Sequence, residues 1–124
     1  MKLVLLIALG ASIGAVCRWL LSLWLNPLGE QFAVGTLLAN LIGCFIIGIM
    51  MAVFFTHPNI SAQWRVFIVT GFLGSLTTFS SFSGEVLEKL LSEKWLNAFG
   101  VMAIHLGLGL ACTALGYGLW RWWH

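Results

Sequence analysis

Charged side chains are scarce in this sequence. Only 8% of its 124 residues are Asp, Glu, Lys or Arg, whereas 60% are hydrophobic, and the mean hydropathy is +1.01. An ordinary soluble domain carries about 25% charged residues, and so few charges could not cover the surface of a globule in water. The scarcity excludes a soluble fold and favours a protein that lies almost wholly within a bilayer.

Several functional signatures are also missing. The net charge is only +2 and no basic run occurs, so nucleic acid is not an expected partner. Cys17, Cys44 and Cys112 stand far apart in apolar stretches, which predicts packed thiols and neither a disulfide nor a metal site. No Ser-His-Asp set, HExxH motif or pair of intramembrane carboxylates is present. We therefore expect no enzyme activity.

Long apolar runs are what the sequence has in abundance. They predict an all-α membrane protein with one transmembrane domain, 1–124, and four helices at about 3–25, 33–55, 65–91 and 96–120. Turns at Pro27 and Pro58 separate the first three runs. The first run, preceded by Lys2, could instead be a secretory signal peptide. We favour a span because the run continues past Arg18 and three more follow.

The third run differs from the others. Between positions 71 and 84 it reads GFLGSLTTFSSFSG, with glycines and hydroxyl residues in place of the leucines of a lipid-facing helix. Irregular backbone persists inside a membrane only where it is buried in protein or lines water. The third helix is therefore predicted to break within the membrane and to face a pore or a subunit interface.

The positive charges predict how the chain is oriented. With four spans both termini share one side, and the charges are nearly balanced: Lys2, Arg65 and Arg121 on that side, Lys89 and Lys94 on the other, with Arg18 nearby. The positive-inside rule then favours neither orientation, which predicts dual topology. A four-helix bundle fills its own centre, so a transport pathway would need a second, antiparallel subunit. The motifs Gly10-x-x-x-Gly14 and Ala39-x-x-x-Gly43 could serve that contact or contacts within one subunit.

Four polar side chains lie in or next to apolar spans and need an explanation. Arg18 either reaches lipid headgroups or marks the mouth of an anion pathway. Asn40 must have a partner, on another helix or in a ligand, because an unsatisfied amide there would cost about a few kcal/mol. Glu85 could be a gate, a vestibule charge or a solvated helix end. His105 could relay protons, but a hydrogen-bonded packing role is favoured.

Hydroxyl groups are dense around two phenylalanines. Five occur within seven residues, more than bonding back to their own helix requires: Thr77, Thr78, Ser80, Ser81 and Ser83. Phe79 and Phe82 offer positive ring edges, and Thr113 adds a hydroxyl midway along the fourth span. Such donors would attract a small anion without a fixed charge that holds it too tightly to pass.

Three segments closely resemble the signatures of the CrcB/Fluc family of fluoride channels. They are GASIGAVCRW at 10–19, GTLLANLIGCFIIG at 35–48 and GFLGSLTTFSSFSGE at 71–85, and the resemblance extends in order over essentially the whole chain. It implies a dual-topology antiparallel homodimer; a four-span chain whose first run is a span and not a signal peptide also fits a bacterial inner membrane. Two parallel pores, each lined by both subunits, would let fluoride leave the cytoplasm passively.

The resemblance also implies roles for individual residues. The fluoride pathway would contain Asn40, Phe79, Phe82, Ser80, Ser83 and Thr113, and its vestibule Arg18 and Glu85. Backbone carbonyls of Gly74 and Thr77 would hold a structural Na+ on the dimer axis, because carbonyl oxygens suit a hard cation. The fourth span departs from the family pattern, with His105 in place of an expected asparagine and Gly109 in place of a common serine.

Two other functions compete with a channel. A proton-coupled small multidrug exporter is also short and four-spanning, but it needs a membrane-embedded carboxylate, and only Glu85 lies near the membrane. A non-transporting scaffold would use the polar segment only as an interface. The density of hydroxyl donors argues against the scaffold.

Overall fold

The chain is helical over most of its length. A computed structural model describes every residue from Met1 to His124. It consists of five helices joined by short connections: α1 (Lys2–Leu25), α2 (Val34–Thr56), α3 (62–76), α4 (Phe79–Leu91) and α5 (Trp95–Trp123). By length and hydropathy four segments can cross a membrane: Lys2–Leu28, Val34–Thr56, Ala62–Leu91 and Trp95–Trp123. The all-α fold with four spans is thus confirmed.

The third span is irregular over more of its length than the sequence predicts. It starts as α-helix at Ala62–Arg65, widens to π-helix over Val66–Leu73 and ends as a short α-helical turn at Gly74–Leu76. These three pieces form α3, and α4 follows after two extended residues. π-Helical geometry in proteins is often found at functional sites. Its position next to the break therefore indicates a functional site in this region.

The helices pack in two layers that small residues hold close together. α2 lies along α5, while α1 lies against α3. A Cβ on Gly10 would stand 2.6 Å from the carbonyl oxygen of Phe67, and one on Gly48 would overlap the carbonyl oxygen of Thr113. Gly10 and Gly14 therefore serve a contact with α3 of the same chain.

Most of the protein surface is apolar. Only 15 of the 124 residues are buried, and large hydrophobic side chains such as Leu96 and Trp122 are largely exposed. Such a surface is stable only against lipid or another protein. The fold is that of a multi-pass membrane protein.

The start of α2 is fixed by two side chains from other elements. Asn26 Oδ1 accepts hydrogen bonds from the backbone N–H groups of Gly35 at 2.7 Å and Thr36 at 3.2 Å. Glu85 Oε2 accepts one from the N–H of Ala33 at 2.9 Å. Both acceptors satisfy donors at a helix N-terminus, which also favours the negative charge of the carboxylate.

Candidate functional site

The third span loses its helical conformation at Thr77 and Thr78. Thr77 has ψ 153°, and Thr78 has φ −146° and ψ 120°, so both residues are extended. The Thr78 hydroxyl accepts a hydrogen bond from the N–H of Ser81 at 3.1 Å and thereby caps α4. The helix is therefore interrupted at these two residues, and α4 begins after them with a capped N-terminus.

Asn40 of α2 binds the backbone at this break. Its Oδ1 accepts from the N–H of Thr78 at 2.7 Å, and its Nδ2 donates to the carbonyl of Thr78 at 3.2 Å. In a continuous helix that N–H would donate to the carbonyl of Gly74. Asn40 thus replaces helical hydrogen bonds that the break removes.

His105 of α5 completes this cluster. Its Nδ1 lies 3.2 Å from Asn40 Nδ2, and its ring lies over that of Phe82 with the centroids 4.6 Å apart. The Phe82 ring in turn contacts Phe79 at a centroid distance of 5.6 Å. Residues from α2, α4 and α5 therefore meet at the break, although they are separated by up to 65 positions in the sequence.

A groove of about 700 Å³ opens beside the cluster. Its polar lining comes from Asn40, Thr77, Thr78 and His105, whereas most of the remaining lining is apolar. Phe79 and Phe82 belong to the lining, and Phe79 is 78% exposed. A few polar groups in an apolar groove are typical of a ligand pathway.

Three of the predicted pathway residues lie outside this groove in the single chain. Ser80 and Ser83 are exposed, and the Ser80 hydroxyl contacts only that of Thr78, at 3.2 Å. Thr113 is half-buried, and its hydroxyl donates to the carbonyl of Gly109 in its own helix at 3.0 Å. The structure therefore brings Asn40, Phe79 and Phe82 together but not these three.

Arg18 lies against the end of α3. Its Nε donates to the carbonyl oxygen of Ser75 at 2.9 Å, which is an acceptor left over at the helix C-terminus. A cation is favoured at this end of a helix by the aligned peptide dipoles. Arg18 therefore stabilises one side of the break.

Glu85 points toward the start of α2. Besides the bond from Ala33, its second oxygen, Oε1, is enclosed and has no hydrogen-bond partner. The carboxylate therefore links α4 to the start of α2.

The carbonyl groups of Gly74 and Thr77 lose their usual helical donors at the break. The Thr78 N–H goes to Asn40, and the Ser81 N–H goes to the Thr78 hydroxyl. Both residues line the groove, and carbonyl oxygens are ligands of a kind that suits a hard cation such as Na+.

From the sequence, His105 was predicted to have a hydrogen-bonded packing role and was not counted among the pathway residues. Its position as an ionisable side chain within an apolar span was the feature that could have indicated a functional role. Its contacts with both Asn40 and Phe82 place it among the groove residues.

The fold and the groove define a class of protein: a four-span membrane protein whose third span breaks beside an aromatic and polar groove. The chain belongs to the CrcB family, because the family model described as "CrcB-like protein, Camphor Resistance (CrcB)" matches residues 5–117.

Several relatives carry the name "Fluoride-specific ion channel FluC". One from Haemophilus influenzae is 53% identical over 121 residues, which cover 98% of this chain and 76% of the relative. One from Mannheimia succiniciproducens is 52% identical over 118 residues, which cover 95% of this chain and 93% of the relative. One from Pasteurella multocida is 52% identical over 120 residues, which cover 97% of this chain and 94% of the relative. The similarity therefore includes all four spans.

Proposed function

We propose that this protein is a fluoride channel of the bacterial inner membrane that lets fluoride leave the cytoplasm down its gradient. Membership of the CrcB family and the names of relatives at about 52% identity support this function. The structural observation that carries it is the break at Thr77 and Thr78, after which α4 begins at Phe79 beside the groove. Free N–H groups at a helix N-terminus form an anion-binding end.

The chemistry of the groove suits a small, strongly hydrated anion. Fluoride gives up water only where other donors replace it, and the backbone N–H groups at the break can do so. The edges of the Phe79 and Phe82 rings add positive electrostatic potential next to them. No fixed positive side chain lines the groove, so an anion would not be held too tightly to leave. The proposal includes no catalytic step.

The conducting unit in this proposal is an antiparallel homodimer of dual topology. In the single chain the groove is open and Phe79 is 78% exposed. A second subunit that packs on this face would cover both. The nearly even distribution of Lys and Arg between the two sides supports insertion in both orientations. In the dimer we assign Ser80, Ser83 and Thr113 to the pathway and Arg18 and Glu85 to its vestibule.

A structural Na+ belongs to the proposed dimer. The carbonyl groups of Gly74 and Thr77, whose usual helical donors are diverted, would hold it, and the same two groups from the second subunit would complete the site. A bound cation would supply positive charge that offsets carbonyl dipoles pointing at one another. Gly74 itself is exposed, so another chain can approach it.

Passive efflux from liposomes tests this function. Purified protein is reconstituted into vesicles loaded with fluoride or chloride, and release is followed with ion-selective electrodes in the absence of a proton gradient. We expect rapid fluoride release and retained chloride. Phe79→Ile should slow fluoride about tenfold, because ring-edge contacts contribute about 0.5–1.5 kcal/mol and 1.4 kcal/mol is a factor of ten.

Phe99→Ile is the matched control, since Phe99 is an exposed phenylalanine of α5 outside the groove. It should conduct like the wild-type protein. Fluoride that stays trapped in vesicles holding correctly folded protein, or chloride that leaves as fast as fluoride, would contradict the proposal.

A further inference from the structure

The imidazole of His105 has one nitrogen engaged and one free. Nδ1 lies 3.2 Å from Asn40 Nδ2. Nε2 makes no hydrogen bond, and it is not among the enclosed polar atoms without a partner. His105 lines the groove, so the free nitrogen belongs to a side chain that an ion in the groove can reach.

The hydrogen bonds of Asn40 determine which nitrogen of His105 carries the proton. The N–H of Thr78 can only donate, so the amide atom facing it at 2.7 Å must be the oxygen. The NH2 group then faces the Thr78 carbonyl and His105 Nδ1, and it donates to both. Nδ1 must therefore be an acceptor without a proton, and the single proton of the neutral ring lies on Nε2.

Both amide hydrogens of Asn40 are used in this arrangement. One goes to the Thr78 carbonyl and the other to His105, so neither is free for an anion in the groove. Gly109 has no hydroxyl, and Thr113 donates to the Gly109 carbonyl. The fourth span thus lacks a free hydroxyl donor where the imidazole lies.

We propose that His105 is a fluoride-binding residue of the groove, with Nδ1 accepting from Asn40 and the Nε2–H donating to the passing ion. The inference rests on the proposed channel function and adds a residue to its pathway. The ring is held in two directions, by the Asn40 hydrogen bond and by the face of Phe82 at 4.6 Å. A donor fixed in this way needs little reorganisation when the anion arrives.

Two substitutions separate the donor from the contact with Asn40. The side-chain oxygen of His105→Asn can occupy the place of Nδ1 and keep Asn40 satisfied, but its side chain ends before the position of Nε2. His105→Gln reaches that position with an amide N–H and gives up the acceptor near Asn40. If the Nε2–H binds fluoride, efflux should be fastest in the wild-type protein, slower in His105→Gln and slowest in His105→Asn.

The Asn variant should be about tenfold slower than wild type, the usual effect of losing one hydrogen bond to a charged partner. The reverse order, with Asn faster than Gln, would show that His105 only positions Asn40 and would overturn the proposal. Equal rates for all three would overturn it too. If the wild-type protein releases no fluoride, the channel function fails and this inference fails with it.

Nitrogen NMR provides a measurement that does not depend on flux. His57 and His124 are exposed at the ends of spans, so the variant His57→Gln/His124→Gln leaves His105 as the only histidine. In 15N-histidine-labelled protein we expect a proton on Nε2, an unprotonated Nδ1, and a shift of the Nε2 resonance with sodium fluoride but not with sodium chloride. A protonated Nδ1, or an Nε2 resonance that fluoride leaves unchanged, would refute the assignment.

Discussion

Replacing Asn40 with aspartate removes both donors of the amide and keeps its shape. The oxygen that accepts from Thr78 N–H remains, but the second oxygen now faces two acceptors, the Thr78 carbonyl and His105 Nδ1. An ionised carboxylate can bond to the imidazole if the ring proton moves to Nδ1, but it cannot donate to the Thr78 carbonyl. This part-buried acceptor then loses its donor, which costs about 1–3 kcal/mol and corresponds to about 5- to 150-fold in an equilibrium.

We therefore expect Asn40→Asp to lower fluoride efflux by about 5- to 150-fold, because fewer molecules keep the break in its conducting form. The assay is efflux from liposomes at equal amounts of protein, with a thermal unfolding curve in detergent to show that the variant is folded. Asn59→Asp makes the same change in an exposed turn and should conduct like wild type. Wild-type efflux through Asn40→Asp would refute the argument that the amide holds the break.

Three further predictions concern stability, each measured as the midpoint of thermal unfolding in detergent. Gly48→Ala should destabilise the protein by about 1–3 kcal/mol, because its Cβ would overlap the carbonyl of Thr113, whereas Gly107→Ala meets nothing within 4 Å and should be neutral. Equal midpoints for the two would contradict the close contact of α2 and α5. Thr78→Ala should cost about 1 kcal/mol by removing the cap of α4, and Thr78→Ser should keep it. Loss of stability in the serine variant would rule out the cap as the cause. Glu85→Ala should destabilise the start of α2, while Glu85→Gln keeps an acceptor for its N–H. If both Glu85 variants unfold like wild type, the link between α4 and α2 contributes nothing.

The main features of the fold could be predicted from sequence because they depend on local composition. Apolar runs of membrane-spanning length predict the four helices directly. The glycines and hydroxyl residues of 71–84 predict a break, which the structure has at Thr77 and Thr78. The π-helix at Val66–Leu73 begins before that segment and overlaps it at 71–73. The residues before Gly71 are apolar apart from Thr70, so nothing in that part of the sequence distinguishes a π-helix from an α-helix.

The contacts of the site depend on residues far apart in the chain, and for these the sequence alone was not enough. Asn40 was predicted to have a partner, but the choice between a ligand and another helix was open, and the partner is the backbone of Thr78. For Arg18 two roles were left open, contact with lipid headgroups and a position at the mouth of an anion pathway. In the structure it donates a hydrogen bond to the carbonyl of Ser75. The favoured role for His105 was hydrogen-bonded packing, and its partners, Asn40 and Phe82, are seen only in the structure. Only tertiary packing decides which donor meets which acceptor.

Electrical recording from the purified protein in a planar bilayer tests the central claim most directly. With unequal fluoride on the two sides, and chloride and proton gradients varied independently, the account predicts a current that reverses at the fluoride equilibrium potential and ignores the other two gradients. A reversal potential that follows the chloride or the proton gradient would contradict a passive fluoride channel.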